Sequence, residues 1–217
     1  PNLSADAATL LPIESALGYS VSRHLFIGSG HHLAVEGSSD FVYLQRFTEH
    51  MTSKKRKGLD PRLSIIPVGG ADNLPAFVAL LGRRLKVSAL VDGARTASRM
   101  SRITAAAKNN GVPESSIIAI ADIPGMPSNG DVEDLFAVDD YLRLYNWAFG
   151  SSLAASDLAS TDEPILKRVI DLIGRDFDHA LPAHALTEHR AEFFANVDPK
   201  TVENFAALIA KLNTTLA

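Results

Sequence analysis

The sequence predicts an α/β fold built on a mainly parallel sheet, and three observations lead there. Four apolar runs, at 32–36, 63–68, 87–92 and 116–122, are nearly continuous in Val, Ile, Leu and Ala. That is the pattern of strands covered on both faces. Between successive runs lie helical patterns at 39–52, from Leu74 to Leu81, and from Met100 to about 109, the crossovers that parallel strands require. Two of the runs stop at an acid followed by glycine, in Val35-Glu36-Gly37 and Val91-Asp92-Gly93. In sheets of this kind ligands bind just beyond the carboxyl ends of the strands.

Composition narrows the function classes. The 217 residues carry a formal net charge of −4 and no cysteine. Disulfides and thiolate metal sites are therefore excluded, and the charge does not by itself advertise a nucleic-acid partner. No apolar run approaches the ~18 residues of a membrane span. The opening Pro1-Asn2-Leu3-Ser4-Ala5-Asp6 has neither an initiator methionine nor a basic leader, which reads as a fragment of a longer chain located in the cytoplasm. Three units are expected: a lead-in or linker at 1–28, an α/β domain at 29–130 and a helical subdomain at 131–217, packed beside the sheet.

In chain order, Gly28-Ser29-Gly30 precedes the first strand and lacks a third glycine. It is a turn rather than a dinucleotide fingerprint. His31 and His32 read as an exposed strand start. Ser38 or Ser39 is the expected cap of the first helix. The run Lys54-Lys55-Arg56-Lys57 is either a solvated loop or a phosphate-contacting patch. Pro67 implies that the second strand needs no amide there. Gly69-Gly70 allow a tight turn into a helix capped by Asp72 or Asn73, and Asn109-Asn110-Gly111 is a helix stop. Beyond Gly130 the patterns are helical, over 131–149, 163–174, 183–195 and 199–215, the last opened by Asp198-Pro199. Tyr43, Tyr141 and Tyr145 fit helix-core positions. Trp147, with Tyr145 and Phe149, suits core or a domain contact. His179, His184 and His189 recur every five residues, a spacing that does not share one helical face.

The acids carry the chemistry. Glu36 and Asp40 flank the first strand–helix junction, Asp92 ends another strand, and Asp131, Glu133 and Asp134 open the helical part. Hard divalent cations take oxygen ligands, chiefly carboxylates. Such a cluster is costly unless a cation neutralises it, and a pair of ions can hold both reacting oxygens of a phosphodiester. Acids at helix starts also favour the helix dipole, which is the competing explanation for Asp40 and Asp134.

Val35-Glu36-Gly37-Ser38-Ser39-Asp40, together with Pro67-Val68-Gly69-Gly70, Leu90-Val91-Asp92-Gly93 and Val132-Glu133-Asp134-Leu135-Phe136, resembles the TOPRIM region of the OLD (overcoming lysogenisation defect) family nucleases. The resemblance runs from about Leu17 to the last helix. It implies a TOPRIM-type sheet with an added C-terminal helical subdomain, and a metal-dependent DNA endonuclease using Mg²⁺, or Mn²⁺ or Ca²⁺, as two ions. The implied partners are double-stranded DNA and an ABC-type ATPase region on the same full-length chain; a second copy of the chain is a further candidate. Glu36 matches the family glutamate, Asp40 the acid one turn later, Asp92 the first acid of an Asp-x-Asp motif, and Glu133 an acid of a later cluster. Ala94 stands where the family places a second aspartate, so Asp122 or Asp131 is the candidate replacement. A helper lysine is implied as well, with Lys200 and Lys167 as candidates. The alternative is a degenerate TOPRIM module that binds DNA or a partner subunit without cutting.

Overall fold

A computed structural model describes residues 30–82, 85–93 and 97–216. The expected lead-in at 1–28 and Ala94 lie outside the described residues. Four parallel strands, β1 (His31–Val35), β2 (Leu63–Pro67), β3 (Lys86–Val91) and β4 (Ile117–Ala119), form one sheet in the order β2-β1-β3-β4. Helices α1 (Ser38–Ser53), α2 (Leu74–Gly82) and α3 (Ala97–Asn109) make the three crossovers. The α/β architecture with a parallel sheet is thus present. Because β2 and β3 lie on opposite sides of β1, the chain reverses direction across the sheet between β1 and β3. The carboxyl ends of those two strands frame the crevice where such folds bind ligands.

Alternation along the strands divides the interior in two. Leu33, Val35, Leu90 and Ile118 enter a large core with α1 and the C-terminal helices. Ala34, Val87, Ala89, Val91 and Ile117 enter a smaller one with Leu74, Val78, Leu81, Ile103 and Ala107 of α2 and α3. The C-terminal part is helical as expected, with α4 (Val138–Phe149), α5 (Ile165–Ile173), α6 (Ala180–Glu188), α7 (Arg190–Ala195) and α8 (Pro199–Thr214). It packs on the α1 face through an aromatic cluster. Phe47 stacks on Phe205 with centroids 3.7 Å apart, and meets Phe136 and Phe193 edge-on. No helix among the described residues is long and apolar enough to cross a membrane.

Several local expectations are corrected. The α1 cap is Gly37, extended at φ −132°, and not a serine; the Asp40 side chain receives the Gly37 N–H at 2.8 Å. The turn before α2 is a 3₁₀ segment, Ala71–Asn73, whose cap is Gly70. Asn73 instead donates to the Val68 and Gly69 carbonyls. Strand β4 stops at Ala119 because the Asp122 carboxylate takes the Ala119 N–H at 3.0 Å and the chain coils into a 3₁₀ turn, Ile120–Asp122. The helical run from 131 likewise opens as a 3₁₀ turn, Val132–Leu135, before α4. His31 and His32 are buried, at 7% and 3% exposure, rather than an exposed strand start. His31 Nε2 lies 2.8 Å from the Ser88 hydroxyl across the sheet. Pro67 sits on edge strand β2, where its missing N–H is harmless. Asp198 caps α8 by accepting the Lys200 N–H, with Pro199 in the first turn.

The shared aromatic core ties the helical part to the sheet. Phe47→Ala should cost about 3–5 kcal/mol, and urea unfolding should show one transition shifted to lower denaturant; two separate transitions would contradict a common core.

Candidate metal centre

Two turns place the first acids. Beyond β1, Glu36 is held by its own carbonyl, which accepts the Gly70 N–H at 2.8 Å, while the Val35 carbonyl accepts the Val68 N–H at 2.9 Å. Gly70 does this at φ +121°, a conformation that residues with a Cβ rarely adopt. From this position Glu36 Oε1 accepts the Asp92 N–H at 3.1 Å, joining the ends of β1 and β3. Asp40 is on the buried face of the first turn of α1, close enough to Asp92 that each carboxyl affects the ionisation of the other.

A third segment closes the group. The Gly93 N–H donates to the Gly130 carbonyl at 2.9 Å, bringing the chain that carries Asp131 and Glu133 against the end of β3. Asp131 and Glu133 are 7% and 3% exposed. Asp134 points elsewhere: its carboxylate receives the Asp131 N–H and the Ile165 N–H, both at 2.8 Å, and so ties the 3₁₀ turn to α5.

The electrostatics follow from crowding. Burial, then Asp40, Glu133, Glu36 and Asp131, push the Asp92 carboxyl well above the usual carboxylate range. Burial, Asp40 and Asp131 do the same to Glu133. Burial also raises Asp40, against the opposing pull of the Gly37 amide and the Asp92 carboxyl. Asp92 Oδ1 is out of solvent with no partner.

Glu36, Asp40, Asp92, Asp131 and Glu133 therefore converge. Their donor set is all oxygen and suits a hard divalent cation, and the orphaned Asp92 oxygen fits a missing ligand. Among the described residues, no three His, Asp or Glu side chains stand ready-made around one point. An ion would draw the carboxylates together by offsetting their mutual repulsion.

Other candidates lie apart. Asp122 is committed to the Ala119 N–H and to Lys211, 3.4 Å away. Lys167 pairs with Asp171 at 2.6 Å. Lys200 is exposed and lines a cleft of about 480 Å³ with Met126, Asp134, Arg168 and Asn204; none of the five converging acids lines that cleft. His189 stacks on Trp147 and His184 faces Glu188 at 3.6 Å. The cationic run Lys54–Lys57 is exposed at the far end of α1, a helix of 16 residues and hence about 24 Å long. Two residues read only as core also border the acids. Tyr43 and Tyr141 are buried with no partner for either hydroxyl; helical periodicity shows that such a residue is inside, not what its oxygen meets.

A buried carboxyl held above its unfolded value adds most stability at low pH and loses it as pH rises. Glu133→Gln should thus raise the Tm of the metal-free protein at pH 8 by at least about 2–4 °C, the equivalent of about 1 kcal/mol in a chain of this size. The gain should vanish near pH 4, where the carboxyl is protonated in both states. A gain independent of pH, measured by thermal melts in chelator, would refute the shift.

No protein-family model matches the chain, and neither does any curated protein or any solved structure.

Proposed function

We propose that this chain is the catalytic region of a divalent-metal-dependent endonuclease that hydrolyses DNA phosphodiester bonds. The observation that carries the reading is the meeting of Glu36, Asp40, Asp92, Asp131 and Glu133 at the crevice between β1 and β3. The TOPRIM-like motifs noted above favour the same chemistry.

A bound Mg²⁺ or Mn²⁺, held by these carboxylates, would supply Lewis acidity and a nucleophilic water at neutral pH. The protein's part is positional. Glu36 is fixed at both ends, by the Gly70 amide on its backbone and the Asp92 amide on its carboxylate. Asp40 and Asp92 would offer carboxylate oxygens to the ion. Asp131 and Glu133 arrive on the loop stapled by Gly93 and Gly130. Water would add to phosphorus and release a proton to solvent as one ester P–O bond breaks, and the leaving oxygen would take a proton from solvent. Lys200 is the remaining candidate for offsetting transition-state charge, since Lys167 is paired with Asp171. Lys54, Lys55, Arg56 and Lys57 supply phosphate contacts remote from the cut. The covalent neighbour on this reading is an ATPase region, with duplex DNA as substrate.

Supercoiled plasmid with Mg²⁺, Mn²⁺ or Ca²⁺ tests the proposal. Nicking is expected. Glu36→Ala should reduce it beyond the roughly 10–100-fold that follows loss of an outer partner of a metal ligand. Absence of nicking with every ion, or full nicking by Glu36→Ala, would overturn it. DNA binding without cleavage would favour instead a binding module, the reading that Ala94 supports. Replacing Lys54 and Lys57 by Gln should weaken binding on any sequence and flatten the slope of log K against log salt by about two; an unchanged slope would assign the loop to solvent.

A further inference from the structure

The large core contains a cluster of phenylalanines. Phe47, Phe136, Phe193 and Phe205 meet edge-on or stacked within 6.4 Å. Two tyrosines break the pattern. Tyr43 lies three residues after Asp40 on the buried face of α1, its ring 4.9 Å from Phe136 and edge-on. Tyr141, on α4, has its ring 6.1 Å from the same Phe136. Both residues are 0% exposed and neither hydroxyl has a hydrogen-bond partner. A phenylalanine at either place would fill the same volume without stranding a polar atom, and a buried hydroxyl without a partner is a cost.

The position of the two rings bears on that cost. Phe136 follows Glu133 by three residues and donates its N–H to the Glu133 carbonyl at 3.1 Å, so the rings that flank Phe136 flank the turn bearing Glu133. Burial and then the Glu133 and Asp40 charges disfavour ionisation of Tyr43. Burial, Tyr43 and then Glu133 act likewise on Tyr141. Glu133 is thus the acid whose charge bears on both phenols.

We propose that the Tyr43 and Tyr141 hydroxyls are outer hydrogen-bond donors that hold Glu133 in position when the carboxylate pocket takes up a divalent cation. This rests on the reading of that pocket as an ion site. A carboxylate that binds a cation through one oxygen needs its other lone pairs satisfied, and such outer partners orient metal ligands and tune affinity. The two tyrosines are positioning residues: they act through Glu133 and touch no reacting atom.

Mn²⁺ titration by calorimetry, with thermal melts in chelator, tests this. Wild type should bind Mn²⁺. Tyr43→Phe should bind it about 10-fold more weakly, with a chelator Tm equal to or above wild type, because the substitution removes an unsatisfied hydroxyl. Tyr141→Phe should behave in the same direction. In a Glu133→Gln background, Tyr43→Phe should add no further loss. Wild-type affinity in both Phe variants, or a lowered chelator Tm with unchanged affinity, would show the hydroxyls to be part of the core alone and overturn the proposal while leaving the ion site standing. A wild type that binds no Mn²⁺ would overturn the site and the proposal together.

Discussion

Several like-charged groups compressed into one desolvated crevice are the constraint on which this structure depends. Glu36, Asp40, Asp92, Asp131 and Glu133 come from three separate segments, and the other four each raise the cost of ionising Asp92. Ordinary side chains in such numbers would part. Here backbone bonds hold the segments, Gly70 to Glu36 and Gly93 to Gly130, while the Asp92 N–H holds the Glu36 carboxylate. The two backbone bonds are between peptide groups, which a side-chain change at the acids would leave in place. The segments are thus fixed at the level of the chain while the carboxyl groups remain adjustable.

The fold supports that arrangement by keeping two cores on opposite sides of a thin sheet. Leu33 and Val35 face the aromatic core, whereas Ala34 faces the smaller one. A one-residue slip of β1 would exchange those faces and would also move Glu36 off the rim. Placement of the first acid is therefore inseparable from packing of the strand that carries it. The helical part contributes in the same way: its aromatic cluster buries Phe136, and Phe136 anchors the turn that presents Glu133.

Much of this was legible in the sequence, for definite reasons. Strands covered on both faces leave long apolar runs, so β1, β2 and β3 stand out, and Glu36 and Asp92 are conspicuous because each ends such a run. Burial of both His31 and His32 was not legible, since a polar pair before an apolar run looks like a solvated start. Strand β4 was read too long because apolar residues continue past Ala119, whereas the Asp122 carboxylate competes for the backbone amide and coils the chain. The helical pattern at 183–195 is interrupted at His189, where the backbone leaves helical geometry between α6 and α7. Asp40 and Asp134 looked alike as helix-start acids, yet one joins the carboxylate group and the other ties a turn to α5. The Ile165 N–H that claims Asp134 lies 31 residues along the chain, and no local pattern reports a contact of that kind.

The 16-residue length of α1 has one last consequence. It keeps the exposed basic Lys54–Lys57 loop and the acid in the first turn of the same helix about 24 Å apart. A polyanion gripped at the loop would have to run the length of that helix before any part of it came to the acids.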